Sequence, residues 1–185
     1  MSGALSVSVQ YADADFPPPP ARPFLRGENN ENAAALSGEN CPPQNCESQN
    51  CAPPRGRVRA LLRSALPDGG EITVRFVAAE EMARLNLQYR QKTGASDVLS
   101  FAYHSPGAPV LGDIAVCPAE AAKTARRRGL PAAAHLSHLI VHGALHLAGE
   151  DHGNARAAGK MEQTEREILA RFGIPDPYLI TENGA

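Results

Sequence analysis

The sequence predicts an α+β domain. Two observations carry this. Segments with strand and helix periodicity are mixed without strict alternation, and they fill residues 55–178, whereas residues 13–54 offer little to bury. With 185 residues the chain is long enough for one domain around a single core. The expected division is a first strand within 1–12, a low-complexity, disordered insertion over 13–54, the rest of the domain over 55–178, and a tail at 179–185.

Residues 5–11 (LSVSVQY) alternate apolar and polar, the pattern of a half-buried strand. Pro17–Pro20 and an Asn/Glu-rich run then break any regular structure. Cys41, Cys46 and Cys51 in this segment are spaced by five, which is not the paired spacing of a common metal site. Residues 56–66 form an amphipathic helix with Val58, Leu61, Leu62 and Leu66 inward. Asp68-Gly69-Gly70 is a turn, and residues 71–77 alternate as a strand. A helix over 79–91 places Met82, Leu85 and Tyr89 at core spacing and is broken at Thr93-Gly94-Ala95. Residues 97–103 and 112–117 are two further strands around a Pro/Gly-rich loop, with Cys117 packing as a small apolar residue. Pro118 opens a helix to 128. Its final arginines, Arg126–Arg128, complement the helix dipole; they read as a solvated helix end before an RNA contact. A long helix runs from near Pro131 to about Leu147, and a last one covers about 155–172, stopping at Gly173.

Composition excludes some classes. The formal charge of −2 says little about partners, but basic residues outnumber acidic ones between Arg55 and Phe172, which permits a basic face for nucleic acid. No apolar run approaches a membrane span. The N-terminus lacks a basic stretch followed by an apolar one, and the four cysteines do not form a disulfide framework. A cytoplasmic protein without a membrane partner is expected.

The informative stretch is His142-Gly-Ala-Leu-His146-Leu-Ala-Gly149-Glu-Asp-His152. Helical residues four apart share a face, so His142 and His146 can grip one ion. Gly149 can end the helix and turn the chain so that His152 returns as third ligand. Three nitrogen ligands leave a tetrahedral zinc one open position, the arrangement of a catalytic site. The histidine spacing is that of a zincin-like metal site, and the fold expected is a zincin-like single domain with a small mixed sheet of about four strands packed with helices and the metal site at the end of a central helix. His135 and His138 lie on roughly the same face, as supporting groups, RNA contacts or buried histidines; the supporting role is the favoured one.

The spacing equals the metzincin pattern H-E-x-x-H-x-x-G-x-x-H, except that Gly143 stands where a peptidase needs the glutamate that takes a proton from zinc-bound water. Peptide hydrolysis by that route is disfavoured. Bound zinc lowers the pKa of its water to about 7, so hydrolysis remains available if another group handles the proton. Asp151 serves equally as that group or as a residue orienting an imidazole or capping the turn.

The stretch His138–His152 resembles the signature of the YbeY endoribonuclease family, also called the rRNA maturation factor family. Leu85–Arg90, Ser96–Phe101 and Leu111–Ile114 are similar to its other blocks, in order, and Met161-Glu162, Glu165, Ile168-Leu169 and Pro177-Tyr178 fit its C-terminal end. Ser96 replaces the family's usual threonine, and residues 13–54 are much longer than its usual link. The resemblance implies one zinc ion per chain held by His142, His146 and His152, although three imidazoles also suit nickel, copper or iron. It implies single-strand-specific RNA cleavage, maturation of the 16S rRNA 3′ end and ribosome quality control, with ribosomal RNA and the small ribosomal subunit as partners. Its functionally important arginine maps to Arg90, whose guanidinium can grip a phosphate with two hydrogen bonds. The catalytic set is then Arg90, His142, His146 and His152, with Asp97 and Asp113 pinning loops. The rival readings are a ribosome assembly factor with a structural metal and a metzincin-like metallopeptidase.

Overall fold

The computed structural model describes residues 4–11, 52–103, 107–150 and 153–179. Cys41, Cys46, Cys51, Asp151, His152 and nearly all of the 13–54 segment lie outside them. The elements run β1 (Leu5–Tyr11), α1 (Arg55–Ala65), β2 (Gly70–Phe76), α2 (Ala79–Arg90), β3 (Val98–Ala102), β4 (Val110–Val116), α3 (Pro118–Arg127), α4 (Ala132–Leu147) and α5 (Ala155–Arg171). This is the expected α+β architecture. β4 starts two residues before the segment that alternation marks, because Val110 and Leu111 pair with Gly70 and Glu71 of β2.

The sheet is mixed, in the order β1-β2-β4-β3. β1, β2 and β4 are parallel and β3 is antiparallel to β4. Side chains alternate across the strands, so each face builds its own core. Val9, Ile72, Val74, Ile114 and Val116 join α1, α4 and α5 on one face. Leu99, Ala115 and Cys117 meet Met82 and Leu85 of α2 on the other. Tyr89 packs edge-on against Phe101 at a centroid distance of 5.0 Å.

Helix α4 is the inner helix. It touches α1, α3, α5, β3 and β4. Leu136, Ile140, Val141 and Ala144 are fully buried, as expected of a helix that is apolar around most of its circumference. Between His135 and Leu147 only two positions reach solvent, His142 and His146. From His135 onward, packing thus closes this helix except along its histidine edge.

The opposite face of the sheet holds a buried acid. Asp113 is 4 % exposed and accepts a hydrogen bond from the Tyr103 hydroxyl at 2.8 Å. Burial pushes its pKa from 3.8 up to about 6, against the pull of Tyr103, Thr73 and Arg75. A carboxyl whose pKa rises on folding stabilises the fold fully below its unfolded value, and that contribution is lost as pH rises through the folded value. Asp113→Asn should therefore gain on wild type by about 1–3 kcal/mol between pH 4 and 7.5, measured as ΔΔG from denaturant melts. A pH-independent difference would refute the burial of an ionising carboxyl here.

Candidate metal centre

The end of α4 sets the position of His146. The backbone N–H of Glu150 bonds Leu145 O at 3.0 Å and that of Gly149 bonds His146 O at 3.0 Å. Gly149 adopts φ 88°, the left-handed conformation that closes such a turn. This turn brings the Glu150 carbonyl back over the helix, where it accepts from His146 Nδ1 at 2.9 Å.

His142 is oriented from another element. Asn154 caps α5 by accepting from the Ala157 N–H at 2.9 Å. The buried stripe of α5 is Met161, Glu165, Ile168 and Leu169. Glu165 is completely buried, and its Oε1 accepts from His142 Nδ1 at 2.8 Å while Oε2 accepts from His138 Nε2 at 3.0 Å. The Tyr178 hydroxyl donates to Oε2 as well. Burial would raise the Glu165 pKa, but the hydrogen bonds from His138 and His142 outweigh it and hold the carboxyl well below its usual range. Burial lowers the His138 pKa, against the opposing pull of Glu165, so this ring is neutral.

These partners fix the tautomers. A backbone carbonyl and an ionised carboxylate only accept, so both His142 and His146 carry a proton on Nδ1, and in the neutral ring the lone pair is on Nε2. An imidazole held through one nitrogen by a carboxylate or carbonyl is the arrangement found for metal-ligating histidines. The two ring centroids are 4.6 Å apart. The donor chemistry therefore fits a transition-metal ion on the Nε2 side of this pair. His138, His142 and Glu165 also bring one donor atom each within 4.8 Å of one another, a His/His/Glu set that could hold a metal. Its Glu165 contacts are the proton-bridged 2.8 and 3.0 Å bonds, so the trio works better as support for the His142–His146 edge than as its replacement.

The other sequence candidates are placed unevenly. His135 is buried and pairs through Nε2 with Asp97 Oδ2 at 3.3 Å. Asp97 also accepts from Thr124 at 3.2 Å, tying the loop before β3 to α3 and α4. Arg90 is the exposed last residue of α2, with Gln91 behind it at φ 56°. Among the described residues it has no hydrogen bond to the histidines. Glu165 and Tyr178 gain a definite task that periodicity did not assign. The available signal was a carboxylate inside an apolar i, i+4, i+7, i+8 stripe, since a buried acid needs buried donors.

Position 143 has a steric explanation. A Cβ on Gly143 would meet Ser100 Oγ at 2.9 Å and Ile114 Cγ2 at 3.0 Å. This residue faces β3 and β4, so a side chain there would have to displace Ser100 and Ile114 before reaching the histidine edge.

Glu165→Gln should keep the volume but set an amide N–H against one of its imidazole donors. Loss of such a partner lowers metal affinity about 10–100-fold. Competition with a chromogenic chelator measures this, and unchanged affinity would remove Glu165 from the support of His142.

Fold and site together define a class: an α+β domain with an imidazole pair on the open edge of its inner helix, fit for a metal-dependent hydrolase. The family model described as Endoribonuclease YbeY matches residues 56–173. The chain belongs to the YbeY family, an enzyme family of the nuclease class of hydrolases. Among its relatives, Endoribonuclease YbeY of Paraburkholderia phytofirmans is 47 % identical over 126 residues, 68 % of this chain and 82 % of that protein. That of Halorhodospira halophila is 44 % identical over 136 residues, covering 69 % and 88 %. A Thermotoga maritima protein of known solution structure aligns at 22 % identity with a TM-score of 0.47, over 71 % of this chain and 89 % of that one. No helix among the described residues is long and apolar enough to cross a membrane.

Proposed function

We propose that this protein is a single-strand-specific, metal-dependent endoribonuclease of the cytoplasm that matures the 3′ end of 16S ribosomal RNA and takes part in ribosome quality control. Its partners are then ribosomal RNA and the small ribosomal subunit. The observation that carries the reading is the orientation of His142 and His146, each held through Nδ1 so that Nε2 is turned to the open edge of α4. His152 is the third ligand, and zinc is the preferred ion for such a nitrogen set. When bound, the ion supplies Lewis acidity toward a phosphoryl oxygen and an activated water.

The chain's own residues supply the rest. Glu165 and the Glu150 carbonyl hold the imidazoles in register. Arg90 grips the phosphate and stabilises the charge that builds on it. The peptidase alternative is disfavoured, because glycine stands where a peptidase requires glutamate and a Cβ at position 143 would crowd Ser100 and Ile114. The test is cleavage of a labelled single-stranded oligoribonucleotide and its annealed duplex by zinc-loaded and chelator-treated protein. Zinc-dependent cleavage of the single strand is expected, together with trimming of a precursor 16S 3′ fragment. Cleavage that ignores zinc would sink the reading.

A further inference from the structure

A cleft of about 470 Å³ opens beside His142. One wall is the loop 95–98, the other is the last turn of α3 with Thr124, Arg127 and Arg128, and the floor is the face of α4 carrying His135 and His138. Its volume lies in the range of small-ligand sites. It runs from the proposed metal ligand to a pair of arginines, a path that no step of the proposed reaction yet uses.

The two arginines are not consumed in capping their helix. The carbonyls at the end of α3 are met by backbone N–H groups: Arg128 bonds Thr124 O at 3.0 Å, Gly129 bonds Arg126 O at 3.2 Å and Leu130 bonds Ala125 O at 2.9 Å. The guanidinium groups turn elsewhere. Arg127 Nη2 donates to Thr124 Oγ1 at 3.0 Å, and Arg128 Nη2 donates to the Pro177 carbonyl at 3.0 Å. Each contact uses one of five guanidinium donors and fixes the head group at the cleft.

The acid in the cleft is ionised but already partnered. Asp97 takes hydrogen bonds from His135 and Thr124, and these, with the nearby Arg127 charge, outweigh its burial and keep its pKa low. The floor is closed, with His135 and His138 only 2 % and 6 % exposed. A cleft with a basic rim and a proposed metal ligand at one end suits a phosphodiester chain.

We propose that this cleft is a backbone-binding arm for the single-stranded RNA flanking the cleaved bond, with Arg127 and Arg128 as positioning residues that hold its phosphates. This rests on the endoribonuclease reading above. Arg127 and Arg128 set the register of the strand and touch no reacting atom. Their removal therefore weakens RNA binding and leaves turnover at saturation intact.

The experiment compares zinc-loaded full-length wild type, Arg127→Gln/Arg128→Gln, and the control Arg63→Gln on helix α1, which lines no part of the cleft. Glutamine at 128 retains a donor for the Pro177 carbonyl. Fluorescence anisotropy with a single-stranded oligoribonucleotide is read from about 50 to 200 mM salt, and each lost phosphate contact lowers the slope of log K against log salt by about 0.7. The double variant should lose about 1.4 in slope and raise KM about tenfold with kcat unchanged, while the control stays at wild type. Wild-type slope and KM in the double variant overturn this inference alone. Equal losses in Arg63→Gln also overturn it, by showing a general charge effect. A wild type that neither binds nor cleaves the oligonucleotide overturns the endoribonuclease reading with it.

Discussion

Replacing His146 with alanine is expected to abolish zinc binding and to cut RNA cleavage at least a thousandfold. Lewis-acid and water activation by a bound ion are worth several kcal/mol, and about 4 kcal/mol corresponds to about 10³ in rate. The fold should survive. His146 is half-buried at the open edge of α4, and its Nδ1 partner is a backbone carbonyl that water can serve in the variant. Elemental analysis of purified protein gives the metal content, and an oligoribonucleotide assay gives the rate. A variant with full metal content would mean that the site is built differently, for example on His138, His142 and Glu165.

Restoring the peptidase glutamate should do the opposite of creating a peptidase. Gly143→Glu drives a Cβ into Ser100 Oγ and Ile114 and buries an unpaired carboxylate between α4 and the sheet. Overpacking costs about 1–3 kcal/mol and an unpaired buried charge several more. The total approaches the 5–15 kcal/mol that holds an ordinary domain together. The expected product is unfolded or aggregated by circular dichroism and size exclusion. Gly143→Ala should be milder, since a gain of up to about 1 kcal/mol in helix propensity offsets part of the clash. A folded, zinc-loaded Gly143→Glu with peptidase activity would show that position 143 can face the metal after all.

The elements were almost all legible in the chain. β1, α1, α2, α3, α4 and α5 fall within a residue or two of their periodicity, because each has an apolar face of the right period and a breaker at its end. β4 was less clear at its start, because the Val110 pairing with Gly70 comes from the neighbouring strand and leaves no local mark. The histidine edge was legible for a similar reason. Spacing by four is a property of one helix, so His142 and His146 meet on one face of α4 whatever surrounds it.

The supporting groups were not legible in this way. Glu165 lies 23 residues beyond His142, on another helix, and its task exists only once α4 and α5 pack. Arg127 and Arg128 read as an ordinary basic helix end until the loop 95–98 and α4 close a cleft around them. By itself the sequence determined the α+β elements, the imidazole pair and, through the YbeY blocks, the family. Only the tertiary structure decided which imidazole nitrogens face their supports, what a side chain at position 143 would crowd, and where a strand can lie beside His142. Periodicity and spacing act within one element, whereas tautomers, steric exclusion and clefts arise between elements brought together by the core.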